Sequence, residues 1–408
     1  EQPGPAGASP RRGGPDVGVV IAVNWGGSAF FYGQTLEMWE CYCRRHGDCQ
    51  VVLDTDELAP DAYPLLAKLD EATGQTIMRR GKEWNRWFAL ERHLGEFEWS
   101  VTADPDQFLS RQCFGTPLTA ALRSHGLHPS NGTPSVRPCD AAGGEAGACG
   151  GESEAWAGPD VVIRDNPRYH SLNSAGVLLR DSPAARLLLR MLFDKVHWFG
   201  MPNLDQSAFD QTVLEFVDLW NRARGGERQL PRSAGCLRYL LAIPSWTVAT
   251  PALYAECWHD LIEATFGAFD ENDAGGRARR SLSLRAPVYF ADPRVADFNY
   301  VLGNRSWTDE PLVYHYAGKD KHYSNDKGVT LLDTVIRSLW GGEALPPRRR
   351  PGPWAFRNRT AGRLGRPPDR KRRMEPRCAA WDAAAAGAGA CEPGTIVADC
   401  RGPILAFC

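Results

Sequence analysis

Two aspartates stand one residue apart at the end of an apolar segment of the chain. Asp104 and Asp106 lie within the stretch FEWSVTADPDQFLS (97–110), and Pro105 stiffens the backbone between them. Carboxylates this close repel each other unless a cation, an arginine or a lysine lies between them. Two interpretations follow from the spacing, a solvated turn or a metal site with oxygen ligands.

A second D-x-D pattern, Asp54-Thr55-Asp56, follows another strand-like segment, CQVVLD (49–54). Short acidic residues after a strand are typical of surface turns and helix caps. We interpret this pattern as such a turn or cap, and Asp104/Asp106 as the metal pair, because further polar motifs follow the latter along the chain.

The segments around these carboxylates alternate between strand and helix patterns. VGVVIAV (17–23), CQVVLD and the segment before Asp104 are apolar runs of strand length, with helical patterns near 31–45 and 83–95. This alternation predicts an α/β fold with a mostly parallel sheet covered by helices on both faces. In such sheets ligands bind beyond the carboxyl ends of the strands, where Asn24 also falls. In helix 83–95 we expect Trp84, Trp87 and Phe88 to face the core and Arg86 to be solvated, with contact to a nucleotide as the alternative for this region.

Three further motifs follow. LNSAGVLLRDSP (172–183) predicts a strand and then a helix that is capped by Ser182 and has Pro183 in its first turn. NLDQSAF (203–209) places Asp205 and Gln206 at the start of an amphipathic helix. PLVYHYAGKDK (311–321) is a strand followed by a loop and contains H-x-x-G-x-x-K, formed by His315, Gly318 and Lys321.

In this order the four motifs resemble the metal-dependent, retaining nucleotide-sugar glycosyltransferases with the GT-A fold, a Rossmann-like α/β architecture. LNSAGVLLRDSP with DQSAF is most similar to plant xyloglucan α-xylosyltransferases and fungal α-galactosyl- and α-mannosyltransferases. HYAGKDK resembles the closing motif of the glycogenin-like family. The resemblance covers about residues 17–325.

The resemblance implies that Asp104, Asp106 and His315 bind a divalent cation, Mn²⁺ or Mg²⁺. Such a cation neutralises a departing nucleotide diphosphate, and an imidazole ligand favours Mn²⁺. Gly318 and Lys321 would bind the donor, Lys321 as a point charge on its phosphates.

The resemblance also implies that Asp205 and Gln206 lie beneath the donor sugar, with Asp205 on its hydroxyls and Gln206 near the anomeric carbon. Asn24 and Asn173 are expected to bind the donor. The sequence N-S-A-G-V is one residue longer than the family's usual pattern, so either Asn173 keeps its role or Ser174 takes the place, and we favour Asn173. Retention by a front-face route and by a covalent intermediate both stay open.

Two classes of function are therefore predicted. The first is transfer of a hexose or pentose from a nucleotide-diphosphate sugar, a UDP-sugar above all, to a glycan or glycoprotein acceptor. The second is a catalytically silent GT-A-like domain that binds a sugar, a nucleotide or a partner protein. A P-loop or dinucleotide-binding enzyme is excluded because neither GxxxxGK[ST] nor a strand-linked GxGxxG occurs.

Composition divides the chain into parts. Residues 1–16 are a Pro/Gly-rich linker, 17–340 a GT-A domain with a low-complexity surface insertion at 128–159, and 341–408 a Pro/Ala/Gly-rich tail. The tail carries 13 Lys/Arg and 6 Asp/Glu, and we expect it to be mostly irregular and dispensable. The remainder of the chain is acidic, which argues against a nucleic-acid partner.

Twelve cysteines and N-x-[ST] sequons at Asn131, Asn304 and Asn358 indicate an oxidising compartment. We therefore expect disulfides, glycosylation and a place in the secretory pathway, in the Golgi lumen. Membrane contact is expected only through an anchor that precedes Glu1, since no apolar run of 18 residues occurs.

Overall fold

The computed structural model describes much of the body and one helix of the tail. The described residues are 15–22, 28–54, 84–124, 127, 158–164, 172, 174–195, 198, 204–223, 233–241, 252–267, 280–281, 284, 286–291, 300–301, 312–316, 330–340 and 370–386. The linker and the 128–159 insertion lie almost wholly outside them.

A six-stranded sheet forms the centre, in the order β2-β1-β3-β6-β5-β7. Its strands are β1 (Val17–Ala22), β2 (Cys49–Asp54), β3 (Trp99–Thr102), β5 (Val161–Arg164), β6 (Leu178–Arg180) and β7 (Val288–Ala291). β1 is parallel to β2 and β3, and β5 is parallel to β7. β6 is antiparallel to β3 and β5. The predicted α/β class with a mostly parallel sheet is confirmed.

A second sheet of three strands adjoins the carboxyl end of β3. Its order is β4 (Gln107–Leu109), β9 (Val313–His315), β8 (Tyr300–Val301). β4 begins one residue after Asp106 and pairs antiparallel with β9, so that Gln107 lies opposite His315. This pairing joins parts of the chain that are about two hundred residues apart in sequence.

Helices cover both faces of the large sheet. They are α1 (Ser28–His46), α2 (Asn85–His93), α3 (Leu118–Ser124), α4 (Pro183–Phe193), α5 (Leu204–Ala223), α6 (Ser233–Leu241), α7 (Ala252–Phe266), α8 (Leu331–Leu339) and α9 (Arg370–Ala386). β1 shows the two faces directly: Val19 and Ile21 belong to the core with α1, α3, α8 and α9, whereas Val20 belongs to the core with α2 and α4 to α7. Alternate residues of a strand point to opposite faces, which explains this division.

Local signals set several helix ends as the sequence predicts. The Ser182 hydroxyl accepts a hydrogen bond from the Ala185 backbone N–H at 3.1 Å, and Pro183 occupies the first turn of α4. Helix α5 begins at Leu204, so Asp205 and Gln206 lie in its first turn. No described helix has both the length and the apolar character to cross a membrane.

The expectation of an irregular tail is wrong for α9. Cys378 forms a disulfide with Cys41 of α1, and Trp381 is buried edge-to-face against Trp340 with ring centroids 4.8 Å apart. Arg111 donates from Nε to the Ala384 carbonyl at 2.7 Å. Alanine-rich composition indicates a low-complexity segment, but alanine is also the best helix former. Cys378 and Trp381 are three residues apart and share one face of the helix.

Disulfides also close two shorter segments. Cys43 pairs with Cys49, across the turn between α1 and β2, and Cys236 pairs with Cys257, joining α6 to α7. The predicted disulfides are therefore present among the described cysteines.

The tail disulfide is expected to stabilise the fold. Replacing Cys41 and Cys378 together by Ser should lower the free energy of unfolding by about 2–4 kcal/mol, because the bond closes a loop of 337 residues in the unfolded chain. Urea denaturation measures this change.

The matched control replaces Cys43 and Cys49, whose bond closes only 6 residues and should contribute less. Equal losses in the two pairs would contradict the loop-length argument. A stable chain after deletion of 370–408 would show that the tail is dispensable.

Candidate functional site

The predicted site lies at one edge of the large sheet. β1, β2 and β3 are parallel, so their carboxyl ends share that edge, and Asp104 and Asp106 directly follow β3. The loop before β6 reaches the same edge, because β6 runs antiparallel to β3. Its Gly176 N–H donates to the Thr102 carbonyl, and the Thr102 N–H donates to the Val177 carbonyl, each at 2.9 Å.

A closed turn fixes the two carboxylates. The Gln107 backbone N–H donates to the Asp104 carbonyl at 2.9 Å, while the Gln107 side-chain oxygen accepts from the Asp104 N–H at 2.7 Å. The Trp39 indole of α1 donates to the Gln107 carbonyl at 2.9 Å. Asp106 is only 1% exposed, so the pair is not a solvated turn.

Strand pairing brings His315 to this turn. The Tyr316 N–H donates to the Asp106 carbonyl at 3.2 Å. His315 Nε2 lies 3.5 Å from Asp106 Oδ1 and 3.8 Å from Asp104 Oδ2. One ligand atom from each of the three residues falls within 4.8 Å of the others. Ligands about 2.1 Å from a central ion are separated by about 3 to 4 Å, so this group can hold a metal ion.

Arg86 of α2 also reaches these carboxylates, contrary to the solvated position expected for it. Its Nη1 donates to Asp104 Oδ2 at 2.9 Å and lies 2.8 Å from Oδ1. The same Nη1 donates to the Ser174 hydroxyl at 3.2 Å, and Nε lies 3.3 Å from Asp205 Oδ2. The tryptophans on either side of Arg86, Trp84 and Trp87, are buried as predicted. The sequence signal that could have placed Arg86 here is the pair of neighbouring carboxylates, because their repulsion requires a cation between them.

Asp205 is buried at the start of α5 and joins this network. Its Oδ2 accepts a hydrogen bond from the Trp87 indole at 3.0 Å as well as facing Arg86. Burial raises the pKa of Asp205 and the Asp104 charge adds to this, while Arg86 and hydrogen bonds from Trp87 and Ser174 lower the pKa. Gln206 follows it, half-buried in the same turn. Their roles towards a sugar stay predictions.

Two further residues of this region were not found by sequence reasoning. Tyr32 of α1 is buried, and its pKa is raised by burial and then by the charges of Asp106 and Asp104. Asp210 of α5 is buried, and its Oδ1 accepts from the Leu172 N–H at 2.6 Å. Burial raises the pKa of Asp210 as well. Asp210 thus ties the loop before β6 to the helix that carries Asp205. Both residues resemble ordinary core positions in the sequence.

Several predicted donor-binding residues lie outside the described residues: Asn24, Asn173, Gly318 and Lys321. Ser174, the alternative to Asn173, is buried and contacts Arg86. The alignment of N-S-A-G-V stays open between them.

The rival acidic pattern is not a surface turn at its first residue. Asp54 is buried at the end of β2, and Arg92 of α2 donates to both of its oxygens, from Nε at 3.0 Å and from Nη2 at 2.7 Å. His93 Nε2 lies 3.2 Å from Asp54 Oδ2. Asp54 is therefore part of an ion pair that joins β2 to α2. Asp56 lies outside the described residues.

Comparisons with known proteins add little to this description. No protein-family model and no curated protein matches the chain. A solved structure described as a glycosyltransferase involved in the glycosylation of the major capsid of PBCV-1 is similar at 11% identity and a TM-score of 0.32. The match covers 75% of this chain and 94% of that one. Because the TM-score is below 0.5, this similarity carries no argument about fold or activity.

The Asp54 cluster predicts a dependence of stability on pH. A hydrogen bond to Asp54 raises the pKa of His93, with Glu96 adding to the effect against the opposing influence of burial. The folded-state pKa lies above the unfolded value, so this stabilisation is complete below the unfolded pKa and is lost as pH rises through the folded pKa. We expect His93 to contribute a few tenths to about 1 kcal/mol at pH 6, and less at pH 8.5.

The measurement is urea denaturation of the wild type and His93→Gln at both pH values. The difference between them should shrink as pH rises. A difference that is constant or grows would remove His93 from the ion-pair cluster.

Proposed function

We propose that this chain is a metal-dependent, retaining glycosyltransferase of the GT-A type. It transfers a hexose or pentose from a nucleotide-diphosphate sugar, with UDP-sugars as the leading class, to a glycan or glycoprotein acceptor. The observation that carries the proposal is the grouping of Asp104, Asp106 and His315 at the carboxyl edge of parallel strands. The resemblance of the motifs assigns these residues to one metal site, and the distance of at most 4.8 Å between their ligand atoms supports that assignment.

The metal chemistry follows from the donor atoms. Carboxylate oxygens suit hard divalent cations, and one imidazole tilts the choice towards Mn²⁺ over Mg²⁺. Bound there, such a cation supplies charge neutralisation for a leaving diphosphate. The protein's part is to fix Asp106 and Asp104 through the turn closed by Gln107 and to bring His315 in on β9. Gly318 and Lys321 are assigned to the donor by their motif, with Lys321 on its diphosphate.

The proposed sugar subsite adjoins the metal group. Arg86 contacts both Asp104 and Asp205, so the two carboxylates lie on either side of one guanidinium. Gln206, next to Asp205, is assigned to the anomeric carbon, where positive charge develops in the transition state. A buried, water-poor setting strengthens such electrostatic contacts.

We also propose that the protein works in an oxidising compartment, the secretory lumen. The disulfides Cys41–Cys378, Cys43–Cys49 and Cys236–Cys257 support this, because such bonds persist in secreted and luminal proteins and are rare in the cytosol.

The activity is tested by screening UDP- and GDP-sugars for hydrolysis and transfer with Mn²⁺. We expect turnover that excess chelator abolishes and Mn²⁺ restores. Asp106→Asn removes one ligand charge at nearly constant volume and should lower turnover by on the order of 100-fold or more.

The matched control is Asp54→Asn, the same change at the end of β2, which β1 separates from β3. It should lower stability, because Arg92 loses its charged partner, and it should leave metal dependence intact. Full turnover in chelator, or a dead Asp54→Asn enzyme beside a live Asp106→Asn enzyme, would contradict the proposal. Mn²⁺-dependent binding of a UDP-sugar without turnover would instead select the silent domain.

The assignment of Gln206 predicts a rate effect. Gln206→Ala should lower the turnover rate by about 10- to 1000-fold with a smaller change in donor affinity, because the stabilised charge appears only in the transition state. Steady-state kinetics and the NMR signal of the product's anomeric proton provide the measurement. An inverted product, or unchanged turnover, would argue against the retaining assignment and against this role of Gln206.

A further inference from the structure

Arg86 and a metal ion would have to share one carboxylate. Arg86 Nη1 lies 2.8 Å from Asp104 Oδ1 and 2.9 Å from Oδ2, so both oxygens of this predicted ligand are within its reach.

The surroundings of Asp104 make it unfavourable for a cation to share this carboxylate with Arg86. The side chains of Arg86 and Asp104 are each only 16% exposed, so water screens their charges weakly. A divalent ion on Asp104 would lie a few ångströms from a permanent positive charge, since arginine does not lose its proton in proteins. The Nε contact to Asp205 and the Nη1 contact to Ser174 also hold the guanidinium and restrict its withdrawal.

We propose that Arg86 is a built-in counter-ion that keeps metal affinity low until an anionic diphosphate is bound. Its charge opposes a cation and favours an anion at the same place, so the metal is taken up together with the diphosphate rather than ahead of it. This inference rests on the proposed metal site and adds how that site is regulated. A bound diphosphate offsets the Arg86 charge and raises the affinity for the metal, and the metal raises the affinity for the diphosphate by the same factor.

A purely structural role for Arg86 gives the opposite sign. If the guanidinium only orients Asp104, its removal leaves the ligand less ordered and metal binding becomes weaker. If it competes with the metal, its removal makes metal binding tighter. The direction of one binding constant therefore distinguishes the two roles.

The experiment uses the full chain at pH 8 and titrates Mn²⁺ with the electron paramagnetic resonance signal of the free ion as readout. Arg86→Gln should bind Mn²⁺ on the order of ten-fold tighter than the wild type. The same variant should bind UDP, measured by calorimetry with Mn²⁺ saturating, more weakly. Arg86→Lys keeps the charge and should stay within about three-fold of the wild type for Mn²⁺.

Arg92→Gln is the matched control, because it removes the same charge from beside Asp54, at the end of β2, and should leave both affinities unchanged. Misfolding would weaken the binding of both Mn²⁺ and UDP. It therefore cannot explain tighter Mn²⁺ binding together with weaker UDP binding. If Arg86→Gln unfolds, Arg86→Met repeats the test with the aliphatic length retained.

Mn²⁺ binding to the wild type with unchanged or weaker binding to Arg86→Gln would overturn this inference and leave the metal site standing. Absence of Mn²⁺ binding from the wild type and from every Arg86 variant would overturn the metal site and this inference together.

Discussion

Mutual repulsion among three carboxylates is the constraint on which the site depends. Asp104, Asp106 and Asp205 meet at one edge of the sheet, largely shielded from water, and such a group is stable only beside positive charge or with raised pKa values. Arg86 supplies one charge to Asp104 and Asp205, and burial raises the pKa of Asp205. Asp106 Oδ1 lies 3.5 Å from His315 Nε2.

The scaffold that maintains this balance is spread over the chain. The Asp104–Gln107 turn is closed by its own hydrogen bonds and held from behind by Trp39 of α1. Helix α1 is in turn joined to the tail through Cys41 and Cys378, and the Trp340 indole donates to the Leu109 carbonyl of β4 at 3.0 Å. Elements distant in sequence therefore support β4, the strand that follows Asp104 and Asp106, so the tail helix is connected to the site through packing.

The fold was predictable where local signals are strong. The apolar run at β1 and the alternation of strands with helices are properties of short segments, and so is the Ser182 cap of α4. Helix α9 was missed because alanine-rich composition is ambiguous until a partner surface exists for Trp381. The orientation of β6 could not be predicted from the sequence, because its antiparallel pairing with β3 depends on the edge of the sheet at which the preceding loop lies.

The sequence by itself determined which residue types could bind a cation, because Asp104 and Asp106 share one short turn and His315 stands in a recognisable strand and loop. Only the tertiary structure decided which charges meet. Arg86 lies 18 positions before Asp104 on a helix, Asp54 ends a different strand, and both have acid–base partners that chain spacing does not encode. Strand order and helix packing determine which distant charges pair. They place Asp54 beside Arg92 and Asp104 beside Arg86, and these contacts set the environment of each carboxylate.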